Sequence, residues 1–264
     1  MNVLTPFRRR ARDQLRFRRG MYLLPTLFTL ANLFCGYASV VHAMRRDFET
    51  AALLIGVAMV LDTLDGFIAR LTNSATAFGL EFDSLADVIS FGLAPAILAF
   101  SWGLWPLKRL GWAAGFLYVT AAAMRLARFN IQSTAAADKR YFVGLPSPAA
   151  AGVTASTVYL YPWGLGDYRS ALPALAIVLI PGLLMVSTIR FRSVKAIDVG
   201  WRRSYLALLL GAAVLALIAA EPRVALVVLA YAYLASAFIG LAWSKLRRRP
   251  AEPESASTTD HAPG

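Results

Sequence analysis

The segment DTLDGFIARLTNSATAFGLEFDSLAD, from Asp62 to Asp87, holds four aspartates where apolar runs should meet water. Asp62 and Asp65 are three apart and Asp83 and Asp87 are four apart, so each pair shares one face of its helix. Carboxylates in or beside membrane spans are costly and mark ion, proton or substrate sites. Four of them brought together would repel strongly unless cations neutralised them. Oxygen-only ligands favour hard divalent ions. Gly66 and Ala69 lie on the face of Asp62, where small side chains let a phosphate approach the helix backbone. Arg70, one step further, suits that phosphate. Gly79 falls in the expected turn before the next span, where a free φ angle is useful.

These residues need a scaffold, and the composition says which kind. The chain has 264 residues, 58% of them apolar, and its mean hydropathy is +0.56. A soluble domain is nearer 45–50% apolar, so the chain reads as an all-α membrane bundle. Apolar runs fall at about 22–44, 51–69, 84–105, 110–127, 146–165, 171–189, 204–220 and 223–243, which predicts about eight spans. The short connection LTNSATAFG makes the second and third spans antiparallel, so the four carboxylates can converge. Basic residues crowd alternate loops: the arginines of the N-terminal arm, Arg70, Arg125 to Arg140, Arg190 to Arg203, and Lys245 to Arg249. By the positive-inside rule both termini and the aspartates face the cytoplasm, with Arg45–Arg46 and Lys108–Arg109 as exceptions. The predicted organisation is a basic cytoplasmic arm at 1–20, a membrane domain at 21–246 and a disordered, Pro- and Ser-rich tail at 247–264.

The net charge of +12 would suggest nucleic acid in a soluble protein. Here it belongs to short loops beside anionic lipid, and no nucleic-acid partner is expected. The lone Cys35 rules out an internal disulfide, and His42 and His261 are too few for a His-based triad or zinc site. Trp102, Trp105, Trp163 and Trp243 read as an interfacial belt.

The spacing D-x2-D-G-x2-A-R-x8-G-x3-D-x3-D is matched without departure by Asp62, Asp65, Gly66, Ala69, Arg70, Gly79, Asp83 and Asp87. It resembles the signature of the CDP-alcohol phosphatidyltransferase family. TLANLFCG from Thr29, RLARFN from Arg125, FVGLPSPAAAG from Phe142 and MVSTIRFRSVK from Met185 resemble segments of the branch whose acceptor is L-serine. The resemblance implies a homodimeric bundle in the cytoplasmic membrane, with CDP-diacylglycerol as donor. It implies two Mg²⁺ or Mn²⁺ ions on Asp62, Asp65, Asp83 and Asp87, and Asp87 as base for the serine hydroxyl. Gly66, Ala69 and Arg70, with Gly79 in the turn and Thr29 and Asn32 nearby, would serve the donor. A serine carboxylate and a lipid phosphate both require cations, which Arg125, Arg128 and Lys195 could supply at span ends, with Asn130 and the 144–148 loop on serine's polar groups. Arg125, Arg128 and Lys195 also have a plainer reading as topological anchors at span ends.

The motif does not separate serine from glycerol 3-phosphate, inositol phosphate or choline as acceptor. A divalent-cation transporter is the rival from another class. It predicts acids near mid-membrane and a pathway through both faces, whereas these acids cluster at one end.

Overall fold

The computed structural model of the chain describes residues 5–72, 76–134, 141–187, 190–192 and 204–246. Helix α1 (Thr5–Met44) continues through the basic arm, with Pro25 inside it. A tight turn leads to α2 (Phe48–Leu71), whose N-cap Asp47 accepts the Thr50 N–H at 3.3 Å.

The third span is composite. α3 (Ala77–Asp87) passes into a π-helical stretch, Val88–Leu93, then α4 (Ala94–Ala99), a second π stretch, Phe100–Leu104, and a 3₁₀ turn, Trp105–Leu107. Each π stretch runs up to a proline, Pro95 or Pro106. A proline has no N–H to give and its ring crowds the carbonyl four residues back, so a widened turn ahead of it relieves both problems.

α5 (Arg109–Thr134), α6 (Ser147–Leu160) and α7 (Tyr168–Val186) complete the core. α8 (Ser204–Ala220) and α9 (Pro222–Leu246) follow, α9 packing on α6. The helical class holds with one addition. Strands β1 (Tyr141–Val143) and β2 (Arg190–Arg192) pair antiparallel, Phe142 opposite Phe191. The connections after α5 and α7 leave the bundle at the same end, and pairing satisfies backbone groups that no helix serves.

Among the described residues, five helical stretches are long and apolar enough to cross a membrane: Pro25–Met44, Phe48–Leu71, Ala77–Leu107, Arg109–Ile131 and Tyr168–Val186. The protein is an integral membrane protein. Against the expected eight spans, α6 has only 14 residues and α8 has 17, while α9 is 25 residues long. The core is built from small residues that let helices approach, among them Ala43, Ala51, Ala52, Ala58 and Ala122. Gly36 is required where α1 crosses the first π stretch, since a Cβ there would lie 2.8 Å from the Ser90 Cα.

Polar contacts tie down the end opposite the aspartates. Trp102 is buried rather than interfacial, because its Nε1–H donates to the Tyr161 carbonyl at 2.7 Å. The Leu165 N–H returns a bond to the Trp102 carbonyl at 2.7 Å. Arg223 of α9 donates to Glu49 of α2 at 2.5 Å. Trp105 and Trp163 are exposed, as a belt requires, and the Trp243 side chain lies outside the described residues.

Candidate active site

The site forms at the other end of the bundle, where the C-terminal halves of α2 and α5 meet α3 and the start of α6. Thr76 caps α3, its Oγ1 accepting the Gly79 N–H at 3.0 Å. Gly79 therefore sits in the first helical turn, not in a turn needing a free φ. Its missing Cβ instead leaves room for the cap, since one there would lie 3.1 Å from Thr76 Oγ1. The cap starts α3 at the register that brings Asp83 and Asp87 to face α2.

Asp62, Asp83 and Asp87 each offer a carboxylate oxygen, and the three oxygens lie within 4.8 Å of one another. Asp83 Oδ1 is buried with no hydrogen-bond partner among the described residues. Buried acceptors are ordinarily satisfied, and three carboxylates this close need a counter-charge. An all-oxygen donor set with an unsatisfied member fits a hard divalent cation. Asp65 departs from the expected quartet: it is 5% exposed and accepts a short hydrogen bond from Thr29 Oγ1 of α1.

α1 supplies the floor of the site. Asn32 is fully buried, and its Nδ2 donates to Asp87 Oδ1 at 3.4 Å. Ser90 Oγ donates to the Asn32 carbonyl at 3.0 Å. Asn32 Oδ1 is a second buried acceptor with no partner among the described residues. On the outer surface Arg70 is exposed, and a Cβ at Gly66 would lie 3.8 Å from Arg70 Nη2, so the glycine keeps an open face beside this guanidinium. Ala69 is half-buried next to it.

The basic residues of α5 divide. Arg125 donates from Nη1 to Ser147 Oγ at 2.9 Å, lies 5.8 Å from the Phe129 ring centroid, and interacts electrostatically with Asp62 and Asp87. Arg128 points to the end of α7, where its guanidinium donates to the carbonyls of Met185, Val186 and Ser187, all at 3.4 Å. Those carbonyls are orphans of a helix C-terminus. Gly144, at φ +87°, passes so close to this clamp that a Cβ would lie 2.8 Å from Arg128 Nη2. Asn130 Nδ2 donates to Ser84 Oγ of α3 at 2.9 Å, pinning α5 beside the aspartates. Lys195 lies outside the described residues.

The serine partners Ser84, Ser90 and Ser147 were not foreseen. Serines are common at span ends, and only the fold shows which polar group each one meets.

A CDP-alcohol phosphatidyltransferase family model matches residues 22–182, which include every aspartate of this site. The chain belongs to the CDP-alcohol phosphatidyltransferase family. Among its relatives is the CDP-diacylglycerol–serine O-phosphatidyltransferase of Helicobacter pylori, 42% identical over 180 residues, or 67% of this chain and 75% of the relative. The archaetidylserine synthase of Methanothermobacter thermautotrophicus is 36% identical over 170 residues, 64% of this chain and 69% of its own. The CDP-diacylglycerol–serine O-phosphatidyltransferase of Bacillus subtilis is 34% identical over 130 residues, 49% and 72% of the two chains.

Proposed function

We propose that the protein transfers a phosphatidyl group from CDP-diacylglycerol to L-serine, releasing CMP, at the cytoplasmic face of the membrane. The observation that carries this reading is the convergence of Asp62, Asp83 and Asp87 in a chain whose relatives are named for that reaction. Asp62, Asp83 and Asp87 would hold Mg²⁺ or Mn²⁺, with Asp65 completing a two-ion set once its carboxylate leaves Thr29. Such ions, when bound, neutralise the pyrophosphate of the donor and its departing CMP.

The chain's own residues supply the rest. Asp87 takes the proton of the serine hydroxyl, a poor nucleophile without a positioned base. Asn32, donating to Asp87 Oδ1, turns that carboxylate toward the acceptor. Gly66, Ala69 and Arg70 receive the donor phosphates on the open face of α2, and Gly79 keeps α3 in register for them. Arg125, held by Ser147, presents a planar fork to the acceptor carboxylate or the lipid phosphate. Arg128 and Asn130 hold α7 and α3 around that pocket, and Lys195 would add a further positive charge.

The positive-inside asymmetry supports cytoplasmic termini, with a basic arm at 1–20, the membrane domain at 21–246 and a tail at 247–264. It also supports eight spans, with α6 and α8 crossing as short helices and α9 as a longer, tilted one. The family resemblance supports a homodimer.

The test is an acceptor panel. Purified protein with CDP-diacylglycerol should release labelled CMP with L-serine far faster than with glycerol 3-phosphate, inositol phosphate or choline. Chelation should abolish the release, and Mg²⁺ or Mn²⁺ should restore it. Equal release with another acceptor would remove serine, and full activity in excess chelator would remove the metal.

A further inference from the structure

Asn32 of α1 meets the composite third span at two points. Its side-chain Nδ2 donates to Asp87 Oδ1 at 3.4 Å, and its main-chain carbonyl accepts the Ser90 hydroxyl at 3.0 Å. Asn32 and Ser90 are both fully buried, so bulk water does not compete for the bond between them.

Ser90 stands where the span needs an outside anchor. Asp87 is the last residue of α3, and the π stretch Val88–Leu93 begins at the next residue. Beyond it the Ala94 N–H reaches back five residues to the Ile89 carbonyl, so the regular four-residue ladder gives way just past Asp87. The Ser90 bond ties this widened turn to α1. The two elements are in close contact there, since a Cβ at Gly36, one turn beyond Asn32, would run into Ser90 Oγ.

The Asn32 amide has one usable orientation. Reversing it would set Oδ1 against a carboxylate, so Nδ2 faces Asp87 even though Oδ1 is left buried without a partner among the described residues. At 3.4 Å the Nδ2–Oδ1 bond is already long, and a small retreat of α1 from the π stretch would break it. The bond between Ser90 and the Asn32 main chain resists that retreat.

We infer that Ser90 is a positioning residue for Asp87: by pinning the Asn32 main chain to the π stretch, it keeps the Asn32 amide within reach of the Asp87 carboxylate. This rests on Asp87 acting as the base.

Ser90→Ala removes the bond and almost nothing else. CMP release is measured with CDP-diacylglycerol and L-serine. A misplacement of about 1 Å at a reacting group can cost about 10²-fold, so this partial loss of position should lower kcat about tenfold. Both KM values should stay within about twofold of wild type. Ser39→Ala is the control: Ser39 is also fully buried and donates to the Ala51 carbonyl at 2.8 Å, tying α1 to α2 two turns along from Asn32. It should lower the melting temperature as Ser90→Ala does and leave kcat within about twofold. An unchanged kcat in Ser90→Ala overturns the inference, and so does an equal loss in Ser39→Ala, which would mark general loosening. Asn32→Ala deletes the amide and keeps the carbonyl, so adding Ser90→Ala to it should lower kcat by less than about twofold more. Losses that multiply would overturn the route through Asn32. Near wild-type turnover in Asp87→Asn would overturn the base assignment and this inference with it, and no CMP release by the wild type would overturn the function.

Discussion

Replacing Asp83 by asparagine should reverse its effect on stability when divalent metal is added. The three carboxylate oxygens of Asp62, Asp83 and Asp87 lie within 4.8 Å of one another. At an effective dielectric constant of about 20, two unit charges at that distance repel by about 3.5 kcal/mol. Asp83→Asn removes two of the three repulsive pairs while leaving the side-chain shape almost unchanged. Solvent reaches these partly exposed groups and salt screens them, so the observable relief is about 1–3 kcal/mol. In chelator the variant should therefore melt above wild type, by about 2–4 °C per kcal/mol in a chain of this size. Metal at about a hundred times its Kd should raise wild type by about 2.7 kcal/mol. The variant, with a neutral amide as ligand, should gain much less, and the two melting curves should exchange order. The assay is thermal unfolding of the detergent-solubilised protein in chelator and in saturating Mg²⁺. A variant that melts below wild type in chelator, or a wild type indifferent to metal, would refute the argument.

Asp87→Asn should lower turnover by about 10²–10⁴-fold with a much smaller effect on donor affinity; near wild-type turnover at saturating serine would reassign the base. Arg128→Lys should lower stability by about 1 kcal/mol, because an ammonium cannot span three carbonyls at the end of α7 as the guanidinium fork does. Its KM for serine should stay within about twofold, and a large rise at unchanged melting temperature would place Arg128 in the serine pocket. Hydrogen bonding from Thr50 foremost, and then from His42, holds the Asp47 carboxyl below the usual carboxylate range. A carboxyl depressed in the folded state lends stability above its unfolded value, and that stability is lost as pH falls through the folded one. Asp47→Ala should accordingly be less stable than wild type near neutral pH, with the difference shrinking in acid.

The aspartate motif was legible because its information is local. Spacing within one helix fixes which face a side chain occupies, and the short connection from α2 to α3 fixes which helices face each other. Helix positions were legible for the same reason, as the apolar run at 110–127 inside α5 illustrates, but not their ends, since α5 runs on to Thr134. Long-range pairing was not. Nothing near Asp65 in sequence announces Thr29 as its donor, and nothing near Arg128 announces the end of α7 as its destination. Trp102 looked interfacial because tryptophan usually is, yet the Tyr161 carbonyl satisfies its N–H inside the bundle. Gly79 was placed in a turn because glycine favours turns, whereas the cap at Thr76 already belongs to the helix. The ladder between β1 and β2 joins loops far apart in sequence, with no periodicity in either to reveal it.

The bonds that fasten the helices together away from the aspartates leave the chemistry out of the mechanical frame. Trp102 with Tyr161, Leu165 with Trp102, and Arg223 with Glu49 would all survive rebuilding of the loop at 144–148. A lineage could therefore exchange one acceptor or one lipid type for another by altering a few side chains at the reactive end. The frame need not be renegotiated each time. The relatives named CDP-diacylglycerol–serine O-phosphatidyltransferase in Helicobacter pylori and archaetidylserine synthase in Methanothermobacter thermautotrophicus each align with about two thirds of the chain.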